Sequence, residues 1–339
     1  MTPALQITQA GPGLSLQDYG RPGFLANGLS RGGAMDPLAL AEGAALMLMP
    51  AGDALAIEMA GVGGRFRAEG AALLIALTGA PMVAELDGVR LPWPGSFLLP
   101  KGAELKIGGA LAGSYGYLSV AGLQAPPVLG ARSAHLAGGI GARLTTGAVL
   151  PCTPAPNPGG LKLVPEDRFG GGTIRILPSA QTDQFSAAML ARFEAAEFTK
   201  DARASRMGAR MAHDGEGFSQ AEHLAILSEI IVPGDIQVIG DGAPFVLLPE
   251  CQSMGGYPRI ATVISADLAR VAQASPGAPI RFRFVPLAEA LAARRAAALH
   301  RKSLPDGVVS RVRNPADIPD LLSYQLVGGV ISAIHEPED

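Results

Sequence analysis

The chain has 339 residues, of which 48% are hydrophobic and 17% are charged, and its formal net charge is -3. This balance gives neither a basic surface for nucleic acid nor a basic stripe for anionic lipid, so we expect neither partner. The length predicts two domains rather than one, and the apolar content is sufficient for two cores. The 44 glycines and 28 prolines favour many short strands joined by tight turns.

The first half of the chain shows mostly strand-like segments. Its first helix is predicted over residues 36–47, because Asp36 can cap it and Pro37 suits the first helical position. Residues 82–86 precede Asp87-Gly88 and predict one arm of a hairpin closed by an Asp-Gly turn. Further strands are predicted where short apolar runs are bounded by Gly, Pro or charge, over residues 73–78, 97–99 and 117–120.

A segment dense in proline and glycine, residues 151–172, predicts the boundary between two domains. After it, the pattern predicts a strand over 174–177, a helix over 182–193, and a β-meander with strands at 230–232, 236–239 and 245–248. Helix starts follow near Ala266-Asp267, at residues 287–302 and at Asn314-Pro315. We therefore predict a mainly β protein with few short helices, β-rich domains over 1–160 and 170–288, and a helical tail over 289–339.

Cysteines and histidines give no metal-binding pattern. Cys152 and Cys251 lie far apart, with no Cys/His cluster, and the five histidines show no ligand spacing, so no metal site is predicted. A disulfide between the two cysteines stays open, although a reduced cytoplasmic protein is the simpler interpretation. We expect neither a signal peptide nor a membrane span, because the N-terminus lacks a charged region before an apolar run and the apolar runs are short.

The stretch 249–277 carries the densest set of polar side chains around glycines. Glu250, Gln252 and Arg259 flank Gly255-Gly256, and two adjacent glycines let the backbone turn tightly and approach a ligand. A hairpin turn with solvated flanks is the alternative. The sequence at this point leaves both interpretations open.

Other polar motifs lie in the first half. Asp18 and Arg21 flank Gly20, so Arg21 either presents two donors to an anion or pairs with Asp18 to hold the loop. Gly32-Gly33 leads directly into the helix that begins at Asp36, and free N–H groups at a helix start favour anions. Glu58 lies in an apolar strand and is either solvated or inward-facing with a raised pKa.

Two arginines four residues apart, Arg206 and Arg210, surround Gly208. They indicate either an anion-binding pair or a solvated basic loop. The chain contains no Walker A loop and no HExxH helix.

In this order the motifs resemble the carboxyltransferase subdomain C and D family, also called allophanate hydrolase subunit 2 or KipA-like. The resemblance covers residues 10–290. It is carried by QDYGRPG, GGAMD, IEM, TGA and VLGARS in the first half, and by SRMGAR, SEIIVPGDIQV and ECQSMGGYPRIATVISADL in the second. Its bacterial members include the C-type subunits of ATP-dependent 5-oxoprolinases.

The resemblance implies a cyclophilin-like β-barrel and a small-molecule amide substrate. It implies a KipI-like partner, the B-type subunit of such complexes, and in 5-oxoprolinases also a LamB/YcsF-like protein, the A-type subunit. The implied reaction opens the lactam of 5-oxoproline to glutamate with ATP, which acts through the complex. Two alternatives stay open: a biotin-dependent carboxyltransferase half-site of the urea or allophanate type, and a non-catalytic KipA-like regulatory protein.

Under this resemblance we expect the polar motifs to line one cleft. The arginines would hold carboxylate or phosphoryl oxygens, and Glu58 or Glu250 would act as a base or orient the amide. The expected catalytic residues are Asp18, Arg21, Asp36, Glu58, Glu250, Gln252 and Arg259. The expected substrate- or phosphate-binding residues are Gly33, Arg206, Arg210, Gly255, Gly256 and Tyr257.

The chain departs from the family pattern at several polar positions. Met254 stands where a threonine is usual, Glu250 where aspartate is common, and Ala134-His135 where threonine-aspartate is usual. Ala44, Ala60 and Ala131 likewise replace hydrogen-bonding residues. Together these changes indicate either a changed substrate or weakened catalysis.

Overall fold

Short strands, hydrogen-bonded into curved sheets, make up most of the chain. The computed structural model describes residues 2–154, 159–219 and 227–312. The strands of the first half are β1 (Ala4–Gln9), β2 (Ser15–Gln17), β3 (Ala56–Ala60), β4 (Arg65–Glu69), β5 (Leu73–Gly79), β6 (Met82–Leu86), β7 (Val89–Arg90), β8 (Gly95–Leu99), β9 (Glu104–Ala110), β10 (Tyr115–Val120) and β11 (Val149–Pro151).

The second half has the same short elements. Its strands are β12 (Leu161–Lys162), β13 (Gly172–Leu177), β14 (Thr199–Lys200), β15 (Gly208–Ala212), β16 (Glu229–Ile230), β17 (Asp235–Val238), β18 (Pro244–Leu247), β19 (Met254–Gly255), β20 (Arg259–Val263), β21 (Ile280–Phe284) and β22 (Val309–Ser310). The α-helices of the described residues are α1 (Pro37–Leu46), α2 (Ala187–Ala195), α3 (Leu268–Gln273) and α4 (Leu287–Ser303). Single 3-10 turns lie at Leu25–Asn27, Ala51–Asp53, Thr182–Gln184 and Leu304–Gly307.

Two sheets pack face to face in the first half. One has the strand order β11-β1-β4-β9-β6-β7 and the other β2-β3-β10-β5-β8. Alternate residues of both sheets, such as Ile7 and Phe66 of the first and Ile75 and Leu118 of the second, form one buried core. Helix α1 packs on the second sheet, and Asp36 caps it by accepting from the backbone N–H groups of Leu38 and Ala39.

A curled seven-stranded sheet forms the second half, in the order β14-β15-β18-β17-β20-β13-β21. Its pairs are antiparallel except β13 with β21, which are parallel. Phe193 of α2 stacks on Phe282 of β21 at a centroid distance of 5.2 Å, and Phe198 and Phe218 pack against the pair. The mainly β fold with few helices is therefore confirmed.

The two halves share a core and are joined by side-chain hydrogen bonds. Tyr117 and α1 residues belong to the same buried cluster as Ile174 of the second half. Gln273 accepts from the backbone N–H of Tyr115 at 2.9 Å and donates to the Tyr115 carbonyl at 2.8 Å. Lys200 donates through Nζ to Ser114 Oγ at 2.7 Å and to the Ala272 carbonyl at 2.6 Å.

Lys200 makes the stability of this junction depend on pH. Burial lowers the pKa of its ammonium group from 10.5 to about 8. Between these values the unfolded chain binds a proton that the folded chain releases, so the free energy of unfolding should rise with pH across this window. We expect Lys200→Met to flatten that rise in urea unfolding series, whereas Lys106→Met, which changes an exposed side chain of β9, should keep it. A Lys200→Met slope equal to that of the wild type would contradict this account.

Several predicted elements have the expected positions. Helices α1 and α4 begin at Pro37 and Leu287, and the Asp87-Gly88 turn joins β6 to β7 with both residues at positive φ. The strands predicted over 73–78, 97–99, 117–120 and 174–177 lie within β5, β8, β10 and β13. The helix predicted at Asn314-Pro315 and most of the tail lie outside the described residues, and the domain boundaries stay predictions.

Two predicted elements are wrong in part. The first strand of the expected meander, β16, pairs with β19 instead of β17, because Pro233-Gly234 turns the chain away between them. Only β17 and β18 form the hairpin. The helix predicted over 182–193 is a 3-10 turn followed by α2, because Ser186 Oγ accepts from the Met189 N–H and starts a new helix there.

Both cysteines are free and buried, so the disulfide left open by the sequence does not form. Burial raises the pKa of the Cys152 thiol to about 11 and that of the Cys251 thiol to about 12. Within the described ranges, no helix is long and apolar enough to cross a membrane.

Candidate functional site

Two neighbouring cavities open around the loop that follows β18, residues 249–257. The first, the polar cavity, has a volume of about 390 Å³ and is lined in part by Ser30, His135, Glu250 and Gln252. The second, the apolar cavity, has a volume of about 590 Å³. They share a wall formed by Met207, Cys251, Gln252 and Met254. The loop singled out in the sequence therefore lines both cavities.

Glu250 forms the charged wall of the polar cavity. Its Oε1 accepts from Arg206 Nε at 2.6 Å, and its Oε2 accepts from the backbone N–H of Ala137 at 3.0 Å. Burial alone would raise the pKa of this carboxyl, but Arg206, the Ala137 N–H and His135 together lower it. Glu250 is therefore an ionised hydrogen-bond acceptor at neutral pH.

Behind Glu250 lies a buried ion-pair row, Glu58–Arg206–Glu250. Arg206 donates through Nη1 to Glu58 Oε1 and through Nη2 to the Gly33 carbonyl at 2.6 Å. Glu58, which is 1% exposed, faces inward, and its Oε2 accepts from the Tyr117 hydroxyl at 2.6 Å and from the Met35 N–H at 2.8 Å. Burial of Arg206 disfavours its positive charge, but the carboxylates of Glu58 and Glu250 outweigh this effect and raise the pKa of its guanidinium. Arg206 thus fixes Glu250 to the first half.

The glycine pair before α1 makes room for this row. Gly33 has φ +84°, and a Cβ there would lie 2.6 Å from the backbone nitrogen of Gly20. Only glycine tolerates both the left-handed backbone and the close approach. The Gly33 carbonyl is thereby turned toward Arg206 rather than its N–H toward an anion.

His135 lies beside Glu250 on the polar cavity. Its Nδ1 accepts from the backbone N–H of Gly138 at 2.9 Å, so the proton of the neutral ring is on Nε2, which lies 2.9 Å from Ser30 Oγ. Burial lowers the pKa of His135, Glu250 opposes this effect, and Arg21 adds to it. Ser30 accepts from the histidine, and its hydroxyl hydrogen is left for another acceptor.

Asp18 and Arg21 bind the backbone rather than each other. Asp18 accepts from the N–H groups of Gly20 and Arg132 at 2.8 and 2.6 Å. Arg21 is fully buried and donates to the Ser133 carbonyl, and burial lowers the pKa of its guanidinium. Of the two alternatives that the sequence left open, the ion pair between Asp18 and Arg21 does not form, and both side chains hold the loop next to His135.

Asp36 lies in a second buried charge cluster, away from both cavities. Its Oδ2 accepts from Arg168 Nε at 2.7 Å and from Gln273 Nε2 at 2.9 Å. Arg168 also binds both carboxylate oxygens of Glu42, at 2.9 and 2.8 Å. Neither Arg168 nor Glu42 was predicted from the sequence. A buried helix that carries a single acid, Glu42, is the signal that could have found them.

Two of the expected arginines are placed elsewhere. Arg259 is buried between Glu229, Asp235 and Gln181, and its Nε donates to Gln181 Oε1 at 2.7 Å. Arg210 is partly exposed and pairs with Asp241. Neither lines either cavity, because each is directed at acids of its own half.

The expectation of one cleft lined by all the predicted residues is thus corrected. Four of them, Gln252, Gly255, Gly256 and Tyr257, line the apolar cavity, and Glu250 and Gln252 line the polar one. Glu58, Gly33 and Arg206 support the loop from behind. Asp18 and Arg21 hold the loop next to His135, and Asp36 lies in the separate cluster with Arg168. In the part of the chain that the structure describes, no arginine or lysine lines either cavity, so the expected anion-holding role of the arginines finds no support here.

Within the described residues, no group of three or more His, Cys, Asp or Glu side chains could hold a metal ion.

Residues 27–284 match the family model described as carboxyltransferase domain, subdomain A and B. The chain belongs to the carboxyltransferase domain family. The matching family model is that of subdomains A and B, whereas the sequence motifs indicated subdomains C and D.

Two similar proteins agree with this membership, and a solved structure shares the fold. The chain is 35% identical to the C subunit of 5-oxoprolinase from Escherichia coli K12 over 298 residues, which are 86% of this chain and 94% of that protein. It is 34% identical to the C subunit of 5-oxoprolinase from Haemophilus influenzae over 289 residues, 83% of this chain and 91% of that protein. The crystal structure of the K. lactis urea amidolyase matches with a TM-score of 0.79 at 21% sequence identity. The match covers 93% of this chain and 21% of the urea amidolyase chain.

Proposed function

We propose that this carboxyltransferase-family chain is the C-type subunit of an ATP-dependent 5-oxoprolinase-type amidohydrolase, which opens the lactam of 5-oxoproline to glutamate. The identity to two proteins of that name, whose length the match covers almost end to end, supports this assignment. The observation that carries it in the site is Glu250, an ionised carboxylate held at the cavity wall by Arg206.

The polar cavity suits a neutral amide. Glu250 offers a second lone pair on each oxygen to a lactam N–H, and Ser30 offers its hydroxyl hydrogen to a lactam carbonyl. Because the pKa of Glu250 is lowered, it orients the amide by accepting a hydrogen bond rather than by removing a proton. Orientation of the ring in this way is the contribution of this chain.

The cavities do not fit a triphosphate. No cationic side chain of the described residues lines them, and phosphate groups in a partly enclosed site need charged or N–H donors. We propose that ATP and the substrate carboxylate are held outside these two cavities, in a complex with a KipI-like B-type subunit and a LamB/YcsF-like A-type subunit. This chain is then inactive alone.

Reconstitution tests the proposal. ATP hydrolysis stimulated by 5-oxoproline is expected only when this chain is combined with the two partner proteins. Glu250→Gln should lower that turnover about 100-fold. The amide oxygen of glutamine is uncharged and accepts a weaker hydrogen bond from the lactam N–H, and the amide NH₂ group replaces the second acceptor oxygen with a donor. Glu104→Gln makes the same chemical change on the far sheet, where Glu104 pairs with Arg65, and should leave turnover unchanged.

Two other outcomes would point to other functions. Carboxyl transfer from carboxybiotin to urea, without 5-oxoproline turnover, would favour a biotin-dependent carboxyltransferase half-site, which the carboxyltransferase family model supports. Tight binding of a KipI-like protein without turnover under any condition would favour a regulatory protein. Met254, an exposed apolar residue on the wall of both cavities, is the feature that favours this regulatory alternative.

A further inference from the structure

A third cavity, the tryptophan cavity, opens beside helix α1 and shares no lining residue with the polar and apolar cavities. It has a volume of about 270 Å³, and its mostly apolar wall is formed largely by Trp93, Pro81, Pro94, Pro165 and Phe169. The indole N–H of Trp93 donates to the Gly79 carbonyl at 3.1 Å, which holds the ring in this wall. Because a cavity of about 150 Å³ is sufficient for benzene, this one has room for a small ring-bearing molecule.

The charged side chains of the tryptophan cavity are mainly acids. Glu42, Glu166 and Asp167 line it together with one cation, Arg168, so three negative charges face one positive charge when all are ionised. Glu166 and Asp167 lie at the exposed rim, whereas Glu42 belongs to the buried helix α1. The electrostatic potential of this cavity therefore favours a cation.

The buried cluster behind the wall carries one negative charge in excess. Arg168 is the only cation of the described residues bonded to Asp36 and Glu42, so two carboxylates share one guanidinium. The Asp36 side chain is 0% exposed, whereas that of Glu42 is 9% exposed, and only Glu42 of these two lines the cavity. Burial raises the pKa of Glu42 in spite of Arg168, so a second cation at Glu42 would relieve an incompletely compensated charge.

We propose that the tryptophan cavity binds a small organic cation, a primary ammonium group on an apolar body, with Glu42 accepting from the ammonium group. Each Glu42 oxygen accepts one hydrogen bond from Arg168, at 2.9 and 2.8 Å, and retains a lone pair for a further donor. Trp93 is the aromatic type that attracts cations most strongly, and the prolines of the wall suit the apolar body.

Two features separate this site from others. Within the described residues, the acids of the wall are not grouped in a way that could hold a metal ion, which favours an organic cation over a metal. The site is also independent of the proposed reaction, because binding requires neither the partner proteins nor ATP.

Binding of benzylammonium to the full chain tests this assignment, with benzyl alcohol as the uncharged probe of similar shape. In isothermal titration calorimetry at neutral pH, benzylammonium should bind saturably and about tenfold more tightly than benzyl alcohol. Glu42→Gln should weaken benzylammonium binding about tenfold, because it removes the charge and replaces one acceptor oxygen with a donor. Asp214→Asn changes an exposed acid outside all three cavities and should leave binding unchanged.

The pH dependence of binding is a second readout. A proton and the ammonium group compete for Glu42, whose pKa is raised, so the affinity should decrease as the pH falls, and less so in Glu42→Gln. The charged groups that face Glu42 are Arg168, Asp36 and Glu166, with Asp167 on the same wall. The last of these gives a variant at the exposed rim, Asp167→Asn, which should weaken binding about threefold.

Three results would overturn the assignment: equal affinity for the two probes, no saturable binding of benzylammonium, or wild-type affinity in Glu42→Gln. If Glu42→Gln does not fold, wild-type affinity in Asp167→Asn overturns it instead. Failure of 5-oxoproline turnover in the reconstituted complex leaves it standing.

Discussion

Arg206→Met is expected to lower the free energy of unfolding by about 3–5 kcal/mol, the range found when one partner of a buried ion pair is removed. The side chain of Arg206 is 12% exposed and lies between two carboxylates that are 1% and 2% exposed. Methionine fills similar volume but leaves Glu58 and Glu250 without their cation. Urea unfolding at neutral pH measures the loss.

Arg210→Met is the matched control for this change. Arg210 lies four residues further along, but it is partly exposed and pairs with the exposed Asp241. Surface pairs of this kind contribute about 0–1 kcal/mol. The two arginines look equivalent in the sequence, so equal losses in both variants would show that the buried row does not hold the loop.

The destabilisation by Arg206→Met is also expected to change with pH in a definite direction. In the wild type the pKa of Glu250 is lowered, so its stabilising contribution is complete above its unfolded value near 4.5 and is lost as the pH falls through the lower folded value. In Arg206→Met, burial without the arginine raises the carboxyl pKa instead. The difference in unfolding free energy between wild type and variant should therefore begin to shrink above pH 4.5, as the carboxyl of the variant binds its proton, and should shrink further below about 4.5 as the wild type loses stability.

Local signals in the sequence predicted the elements better than the site. Asp36-Pro37 and Asp87-Gly88 fix a helix start and a hairpin turn through their own backbone preferences, and both lie where they were expected. The pairing of β16 with β19 depends on residues about twenty-five positions apart in the chain. No local pattern could reveal it, because strand neighbours are set by the whole sheet.

The predicted site residues likewise fall into those that the local sequence places together and those whose position depends on the whole fold. Glu250, Gln252 and Tyr257 belong to one loop, so their common place on the cavities follows from proximity in the sequence. Arg206 and Arg259 are both arginines near glycines, and only the fold directs the first to Glu250 and the second to Asp235. Motifs therefore identify which residues are constrained, but not which of them face a ligand.

Arg168→Met is expected to cost about 3–5 kcal/mol of unfolding free energy, although this residue was not among those predicted from the sequence. Arg168 is the only cation of the described residues bonded to Asp36 and Glu42, and it ties α1 to the segment between the two halves. Arg281→Met is the control, because Arg281 of β21 forms an exposed pair with Glu197, which precedes β14, and this pair should contribute about 0–1 kcal/mol.

A second substitution separates loss of the ion pair from loss of packing. Burial raises the pKa of Glu42 even against the effect of Arg168, so in Arg168→Met its negative charge becomes more costly. Arg168→Met/Glu42→Gln removes that charge and should unfold at a higher urea concentration than Arg168→Met. The single variant should also regain stability as the pH falls, because a carboxyl with a raised folded pKa binds its proton more tightly in the folded chain. If the double variant is the less stable of the two, the stabilising role of Arg168 is packing rather than charge.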